Sequence, residues 1–169
     1  SRVKSQKEIL IFEIILCILV QVIMYLISHY IYADTFHIGF VAYFLTSWIV
    51  ITLIHWKEEI NTAQPKVRWF TVLLIIITIA GFIAYKPDFS YREGKGIVVQ
   101  HGYKNLSELQ DKSIISFGLK NTRLVPNAYL YTGEKNNVKY YILLSPIDGK
   151  IAIKKIGDGN YLDEYFEMK

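Results

Sequence analysis

The chain has 169 residues, of which 52% are hydrophobic, and a formal net charge of +4. Of its 34 charged residues, 23 lie from Lys86 onward, so the apolar residues are concentrated in the first half. This asymmetry excludes a single globular core, and the mixing of basic with acidic residues argues against nucleic-acid binding. Cys17 is the only cysteine in the sequence, so the chain cannot form an internal disulfide. Its position in an apolar run suits a small buried hydrophobic residue.

Three apolar runs predict three transmembrane helices. They cover residues 9–31, 38–55 and 69–85, and the third contains no charged residue. About 20 helical residues cross the ~30 Å hydrocarbon layer, and an isolated strand there would leave its backbone groups unpaired. We therefore expect residues 1–85 to form a three-helix transmembrane domain.

Six basic residues flank these runs on one side, whereas Lys86, Arg92 and Lys95 follow the third run in the longer trailing domain, where the positive-inside rule is weaker. Three precede the first run and three lie between the second and third: Arg2, Lys4, Lys7, Lys57, Lys66 and Arg68. The connection between the first and second runs, residues 28–37, contains no Lys or Arg. The positive-inside rule therefore predicts a multi-pass plasma-membrane protein with a cytoplasmic N-terminus and an extracytoplasmic C-terminal domain.

From Lys86 the composition becomes that of a water-soluble domain. Residues 86–96, with Pro, Gly and mixed charge, predict a juxtamembrane linker, and residues 97–169 predict a small α+β domain. Within this domain, strands are expected at residues 97–99, 113–119 and 128–132, and a short helix at residues 105–112.

Two β-rich runs flank Asp148-Gly149 and predict a hairpin with a tight two-residue turn whose central residues have positive φ. In its second arm, Ile151 and Ile153 alternate with Ala152 and Lys154, which predicts one apolar face and one largely Lys face. Residues 161–169 predict a short amphipathic helix.

Tyrosine is abundant in the C-terminal domain, where ordinary core packing accounts for some of these residues and an exposed binding surface is the functional interpretation of the others. The candidate residues are Tyr129, Tyr131, Tyr140 and Tyr141. A domain this small has little interior, and Tyr offers rigid apolar area with a polar tip that suits protein or glycan recognition.

Glu13 and Gln21 interrupt the first apolar run and are the predicted intramembrane polar residues. Glu13 lies one turn from the start of the run, within reach of the cytoplasmic headgroups. Gln21 lies deeper, where its amide can bond to a neighbouring helix. An ion or proton path through these residues is the alternative.

Four residues of metal-ligand type are His29, Asp34, His37 and His101. Their spacing matches no standard zinc pattern, so we predict neither a metal nor a cofactor and retain these four as the candidate ligands.

Catalysis by a nucleophile would need a hydroxyl beside a base. The candidates are Ser113, Ser116 and Ser145, with His101 as the only histidine of the C-terminal domain. None lies in a nucleophile-elbow pattern, and no Gly-rich phosphate loop is present in the sequence. These patterns predict no catalytic residues.

The sequence as a whole predicts a non-enzymatic accessory protein of a bacterial plasma membrane. Its helices would lie in lipid and pack against another integral membrane protein, and its outer domain would bind a protein or envelope component. One alternative is an immunity or exclusion protein acting against a toxin or mobile element. Another is a small transporter or channel subunit with Gln21, Thr46 and Ser47 lining the pore. The last alternative is an enzyme of lipid or cell-wall metabolism that uses His29, Asp34, His37 or His101.

Overall fold

The computed structural model describes residues 2–58, 65–157 and 167–168. The chain divides into two compact units. The helical unit contains Ser1–Leu26 and Ile38–Tyr85, and the sheet unit contains Ile27–His37 and Lys86–Lys169. The connection between the first two helices, which the sequence assigned to the membrane domain, therefore folds with the C-terminal half.

The described part of the first half contains three long helices: α1 (Arg2–Tyr30), α2 (Gly39–Ile54) and α3 (Pro65–Tyr85). In the described part of the chain, two helices are long and apolar enough to cross a membrane, over Lys4–Tyr30 and Lys66–Tyr85. The apolar stretch of α2, Ala42–Ile54, is shorter. The first half is thus helical and contains two candidate membrane spans.

The helical unit buries few of its large apolar side chains. Its buried core contains Cys17, Leu45 and Ile75. In contrast, the side chain of Phe12 is 64% exposed and that of Ile76 is 57% exposed. Helices that are apolar all round and only partly packed are typical of a lipid environment.

The sheet unit is a small antiparallel sheet with one helix. Its elements are α4 (Tyr91–Gln100), β1 (Lys104–Ile115), β2 (Asn127–Lys135), β3 (Val138–Leu144), β4 (Ile151–Lys155) and β5 (Glu167–Met168). The strands lie in the order β1-β2-β3-β4-β5, and each pairs antiparallel with the next. The predicted strands at residues 128–132 and in the last hairpin are confirmed.

A capping box starts α4. The Ser90 Oγ accepts from the Glu93 backbone N–H at 3.2 Å, and the Glu93 Oε2 accepts from the Ser90 N–H at 2.7 Å. These bonds hold the pKa of Glu93 below its ordinary value. The helix therefore begins inside the segment predicted as a linker, and the predicted strand at residues 97–99 is wrong because helix continues through Gln100.

Residues 105–112 form part of β1, so the predicted helix there is wrong. Pairing with β2 overrides the local helical signal, since Lys104 lies opposite Glu134 and Ile115 lies opposite Asn127. The predicted strand at residues 113–119 is confirmed only as far as Ile115, where β1 ends.

The hairpin of β3 and β4 is confirmed, but its predicted two-residue turn is wrong. Residues 145–150 connect the strands, the Ser145 N–H donates to the Lys150 carbonyl at 2.9 Å, and Gly149 has a φ of 70°. The two-residue turn is Asn136-Asn137, with φ values of 54° and 60°, between β2 and β3.

Both faces of the sheet bury apolar side chains. The Tyr129 and Ile153 side chains are buried on the face that carries α4, and those of Leu130 and Ala152 are buried on the other. Lys154 is also buried, so the predicted Lys-rich solvent face of β4 is wrong. Of the predicted C-terminal helix, residues 161–166 lie outside the described residues, and Glu167–Met168 pairs with β4 as a strand.

Residues 27–37 comprise the last turn of α1 and the chain that leads to α2, and they are called the connection from here on. The connection is part of the core of the sheet unit. Thr35 and Phe36 are buried. The Tyr91 backbone N–H donates to the Ile31 carbonyl at 3.0 Å. The Ser113 hydroxyl donates to the Ala33 carbonyl at 2.8 Å, and the His37 backbone N–H donates to the Leu124 carbonyl at 2.7 Å. These bonds join the connection to α4, to β1 and to the loop that precedes β2.

Gly94 lets α4 approach the sheet closely. A Cβ at this position would lie 2.6 Å from the Tyr131 hydroxyl and 3.1 Å from Leu144 Cδ2. Gly96, two residues along the same helix, has nothing within 4 Å of its corresponding position.

We expect Gly94→Ala to lower the free energy of unfolding by about 1–3 kcal/mol, because the added methyl group must displace α4 from the sheet. Gly96→Ala is the matched control and should raise it by up to ~1 kcal/mol through helix propensity alone. Urea-dependent proteolysis of the full chain in detergent micelles measures both. Equal effects of the two substitutions would contradict the close packing at Gly94.

Candidate functional site

Tyr129 and Tyr131 lie in the core, so the prediction that they form an exposed binding surface is wrong. Both side chains are 0% exposed. The Tyr131 hydroxyl donates to the Tyr91 carbonyl at 2.6 Å, and the Tyr129 hydroxyl donates to the Phe89 carbonyl at 2.7 Å. Both side chains are buried because β2 lies between β1 and β3 and beneath α4. The alternation of tyrosines along the strand does not show which of its faces a helix covers.

Three tyrosines pack together between α4 and β2. The Tyr91 ring stacks on Tyr131 with centroids 4.8 Å apart and meets Tyr129 edge-on at 5.4 Å. Burial raises the pKa of Tyr91 to about 12, with a smaller contribution from the Glu108 carboxylate. Burial likewise raises the pKa of Tyr129 and of Tyr131.

Tyr140 and Tyr141 lie on opposite faces of β3, as the alternation of a strand requires. Tyr140 is half-buried, with its ring edge-on to Tyr103 at 5.8 Å. Tyr141 is also half-buried and lines an open groove on the face opposite α4. Of the four predicted binding tyrosines, Tyr141 alone lines this groove.

This groove, here called the sheet groove, has a volume of about 470 Å³. Its polar and aromatic lining comes from three strands and consists of Asn105, Ser107, Thr132, Glu134, Lys139 and Tyr141. Ser107 lies opposite Thr132, which lies opposite Tyr141. One edge of the groove is fixed by the Asn105 amide, which donates to Glu134 Oε2 at 2.8 Å.

A second groove, here called the connection groove, has a volume of about 370 Å³ and lies within the sheet unit. It is lined by residues of the connection, of α4 and of β1, including His29, Asp34, Tyr91, Asp111, Lys112 and Ser113. The His29 Nδ1 lies 2.8 Å from Asp34 Oδ2, which assigns the proton to Nδ1 because a carboxylate only accepts.

The structure thus brings together two of the four candidate metal ligands, His29 and Asp34. The His37 backbone is bonded to Leu124, and the His101 Nδ1–H donates to the Ile97 carbonyl at 2.9 Å near the end of α4. Among the described residues, no three His, Cys, Asp or Glu side chains are placed to hold one metal ion.

The three candidate nucleophile hydroxyls each donate to a backbone carbonyl. Ser113 bonds to Ala33, Ser116 bonds to Pro126 at 2.5 Å and Ser145 bonds to Lys120 at 3.0 Å. The Ser116 and Ser145 side chains are buried. These contacts give all three serines a structural role in joining loops to the sheet.

In the helical unit, Gln21 bonds to a neighbouring helix, which confirms the expectation for its amide. The Thr46 hydroxyl of α2 donates to Gln21 Oε1 at 2.8 Å, and Gln21 Nε2 donates to the Cys17 carbonyl at 3.4 Å. A second bond between helices, which the sequence did not indicate, joins Trp48 Nε1 to Thr71 Oγ1 at 2.8 Å.

Glu13 lies near the basic end of α3. Its Oε1 is 4.0 Å from Arg68 Nε, and the Arg68 guanidinium also donates to Gln6 Oε1. A charge this close to an opposite charge is less costly at the membrane boundary than an isolated carboxylate. The arrangement links α1 to α3.

Comparison with models of protein families, with curated proteins and with solved structures finds no match to this chain.

The packed tyrosines predict a steep loss of stability in alkali. Above about pH 10 the unfolded chain releases phenolic protons that the folded chain keeps, because the folded pKa values are raised. The stabilisation is complete below about pH 10 and falls as the pH rises toward the folded pKa values. Tyr131→Phe should make the loss less steep.

Ultraviolet absorbance of tyrosinate and near-ultraviolet circular dichroism of the full chain, recorded together, measure this effect. The buried tyrosines should ionise only as the dichroism signal of the fold disappears. Ionisation of all tyrosines near their ordinary pKa in a chain that stays folded would contradict the burial of this cluster.

Proposed function

We propose that the chain is a three-span membrane protein that anchors a sheet unit outside the cytoplasm and binds there a protein or envelope component without catalysing a reaction. The observation that carries this proposal is the folding of the connection, residues 27–37, into the same unit as residues 86–169.

A folded unit lies on one side of a membrane. The chain leaves the sheet unit after His37 and re-enters it at Lys86, so the segment between them crosses the membrane an even number of times. This segment contains α2 and α3, and α3 is a candidate span. If α3 crosses, α2 must cross as well.

The length of α2 is compatible with a crossing. Its 16 residues rise about 24 Å, and residues 56–58 are again helical. Lipid adapts to a somewhat short span by local thinning at a modest energetic cost. Together with α1, two crossings by α2 and α3 give three spans.

The surface of the helical unit supports placement in lipid. Exposed Ile, Leu, Val and Phe side chains occur on all three helices, whereas polar groups bond between helices, as Thr46 does to Gln21 and Trp48 does to Thr71. The exposed apolar faces also leave area for an integral membrane partner.

The orientation rests on the basic flanks. Lys4 and Lys7 precede the apolar part of α1, Lys57 follows α2, and Lys66 and Arg68 lie in the first turn of α3. With three spans, these residues share one side, and the positive-inside rule places that side in the cytoplasm. The sheet unit is then extracytoplasmic.

The sheet groove supports binding. It combines the ring of Tyr141 with the hydroxyls of Ser107 and Thr132 and the charges of Glu134 and Lys139. An aromatic face beside several donors and acceptors suits a peptide segment or a saccharide. The structural bonds of the candidate serines favour binding over nucleophilic catalysis at those residues.

Cysteine labelling tests the topology. In a Cys17→Ala background, Lys57→Cys and Lys120→Cys introduce thiols at two exposed positions. A membrane-impermeant maleimide applied to intact cells should label Lys120→Cys and should label Lys57→Cys only after lysis. Lys4→Cys is the control for the cytoplasmic side and should behave like Lys57→Cys. Labelling of Lys57→Cys and Lys120→Cys from the same side would contradict the three-span topology.

Photo-crosslinking in living cells tests the binding surface. A benzophenone side chain in place of Tyr141 should form an adduct with an envelope component, because this position lines the sheet groove. The control position is Lys155, which is exposed on the face that carries α4 and should give no adduct. Equal adducts at both positions, or none at Tyr141, would contradict binding in this groove.

A further inference from the structure

The connection groove is built by two irregular segments. In the connection, Ala33 and Asp34 both line the groove and have positive φ values of 45° and 59°. In β1, Glu108 lies opposite Tyr131, whereas Ser113 lies opposite Tyr129, so residues 109–112 leave the regular ladder. Bulges of this kind redirect side chains and occur often beside functional sites.

Both signs of charge line this groove. Asp34 and Asp111 contribute carboxylates, and Lys112 contributes an ammonium. Lys112 Nζ lies 3.4 Å from Glu108 Oε2 in an ion pair whose side chains are about half exposed. Such a pair contributes little energy, so Lys112 can change partner at small cost.

The charges restrict the ligand. A simple anion would be repelled by Asp34 and Asp111, and among the described residues no set of three ligands fits a metal ion. A molecule with one cationic and one anionic group matches the lining. The volume of about 370 Å³ is within the usual range for a small-molecule site.

The position of the groove along the chain indicates where such a molecule would come from. His29 and Tyr30 line the groove and are the last two residues of α1, one of the candidate spans. On the proposed topology, on which this inference rests, the end of α1 lies at the level of the outer lipid headgroups. Tyr30 is 76% exposed, as expected of an interfacial aromatic residue.

We propose that the connection groove binds the headgroup of a zwitterionic phospholipid that carries a primary ammonium, namely a phosphoethanolamine headgroup. The carboxylates of Asp34 and Asp111 accept hydrogen bonds from the ammonium, and Lys112 meets the phosphate. A choline headgroup fits less well because it has no N–H donors for the carboxylates.

Native mass spectrometry of the full chain, released from detergent with defined lipids, tests this assignment. Phosphatidylethanolamine should be retained in preference to phosphatidylcholine and phosphatidylglycerol. Asp34→Asn and Lys112→Gln should each weaken its binding about tenfold, the loss expected for one charge-assisted hydrogen bond. Asn tolerates the positive φ of position 34, so the fold should be kept.

The matched controls are Asp88→Asn and Lys120→Gln, which remove the same charges at exposed positions outside the groove lining. They should leave lipid retention unchanged. Equal retention of the three lipids, or equal effects of groove and control substitutions, would overturn the headgroup assignment. Cysteine labelling of the same chain separates the lipid proposal from the topology proposal. If Lys57→Cys and Lys120→Cys are labelled from opposite sides but no lipid is preferred, only the lipid proposal is rejected. If both are labelled from the same side, the three-span topology is rejected.

Discussion

The packing of an 11-residue connection into a sheet is the constraint on which the rest of the structure depends. Residues 27–37 comprise the last turn of α1 and the chain that leads to α2, yet their backbone is bonded to α4 through Tyr91 and to β1 through Ser113. Because these contacts join segments more than 50 residues apart, they bring both ends of the α2–α3 segment into one folded unit, which must lie on one side of any membrane that the chain spans. Continuity of the chain then requires an even number of crossings in this segment, and that number is two in the proposed topology because α3 is a candidate span.

The two halves of the chain pack their apolar side chains in different ways. The sheet unit buries apolar side chains on both faces of its sheet, which is the arrangement that water favours. The helical unit leaves residues such as Phe12 exposed and joins its few polar groups across helices, which is the arrangement that lipid favours. Tyrosine differs in burial between the two units: Tyr131 fills the core of the sheet unit, whereas Tyr43 of the helical unit is largely exposed.

The sequence predicted the helices of the first half and the hairpin of β3 and β4, because apolar runs and β-rich runs are local signals. It predicted a strand at residues 97–99, which belong to the helix that the Ser90–Glu93 capping box begins. It predicted a helix at residues 105–112, which belong to β1 because they pair with β2. It placed Tyr129 and Tyr131 on a surface, since alternation along a strand does not reveal that a helix covers it. Neither groove could be predicted, because each is formed by segments distant in the chain, although His29, Asp34 and Tyr141 were already candidates.

Amide hydrogen exchange of the full chain in a lipid bilayer tests the central constraint most directly. The Tyr91 N–H, bonded to the Ile31 carbonyl, and the His37 N–H, bonded to the Leu124 carbonyl, report on the contacts of the connection with the sheet unit. If the connection is part of that unit, both amides should exchange as slowly as those of β2 and β3. Fast exchange at His37 and Tyr91, with β2 and β3 still protected, would mean that the connection is not held in the unit and that the count of membrane crossings has no support.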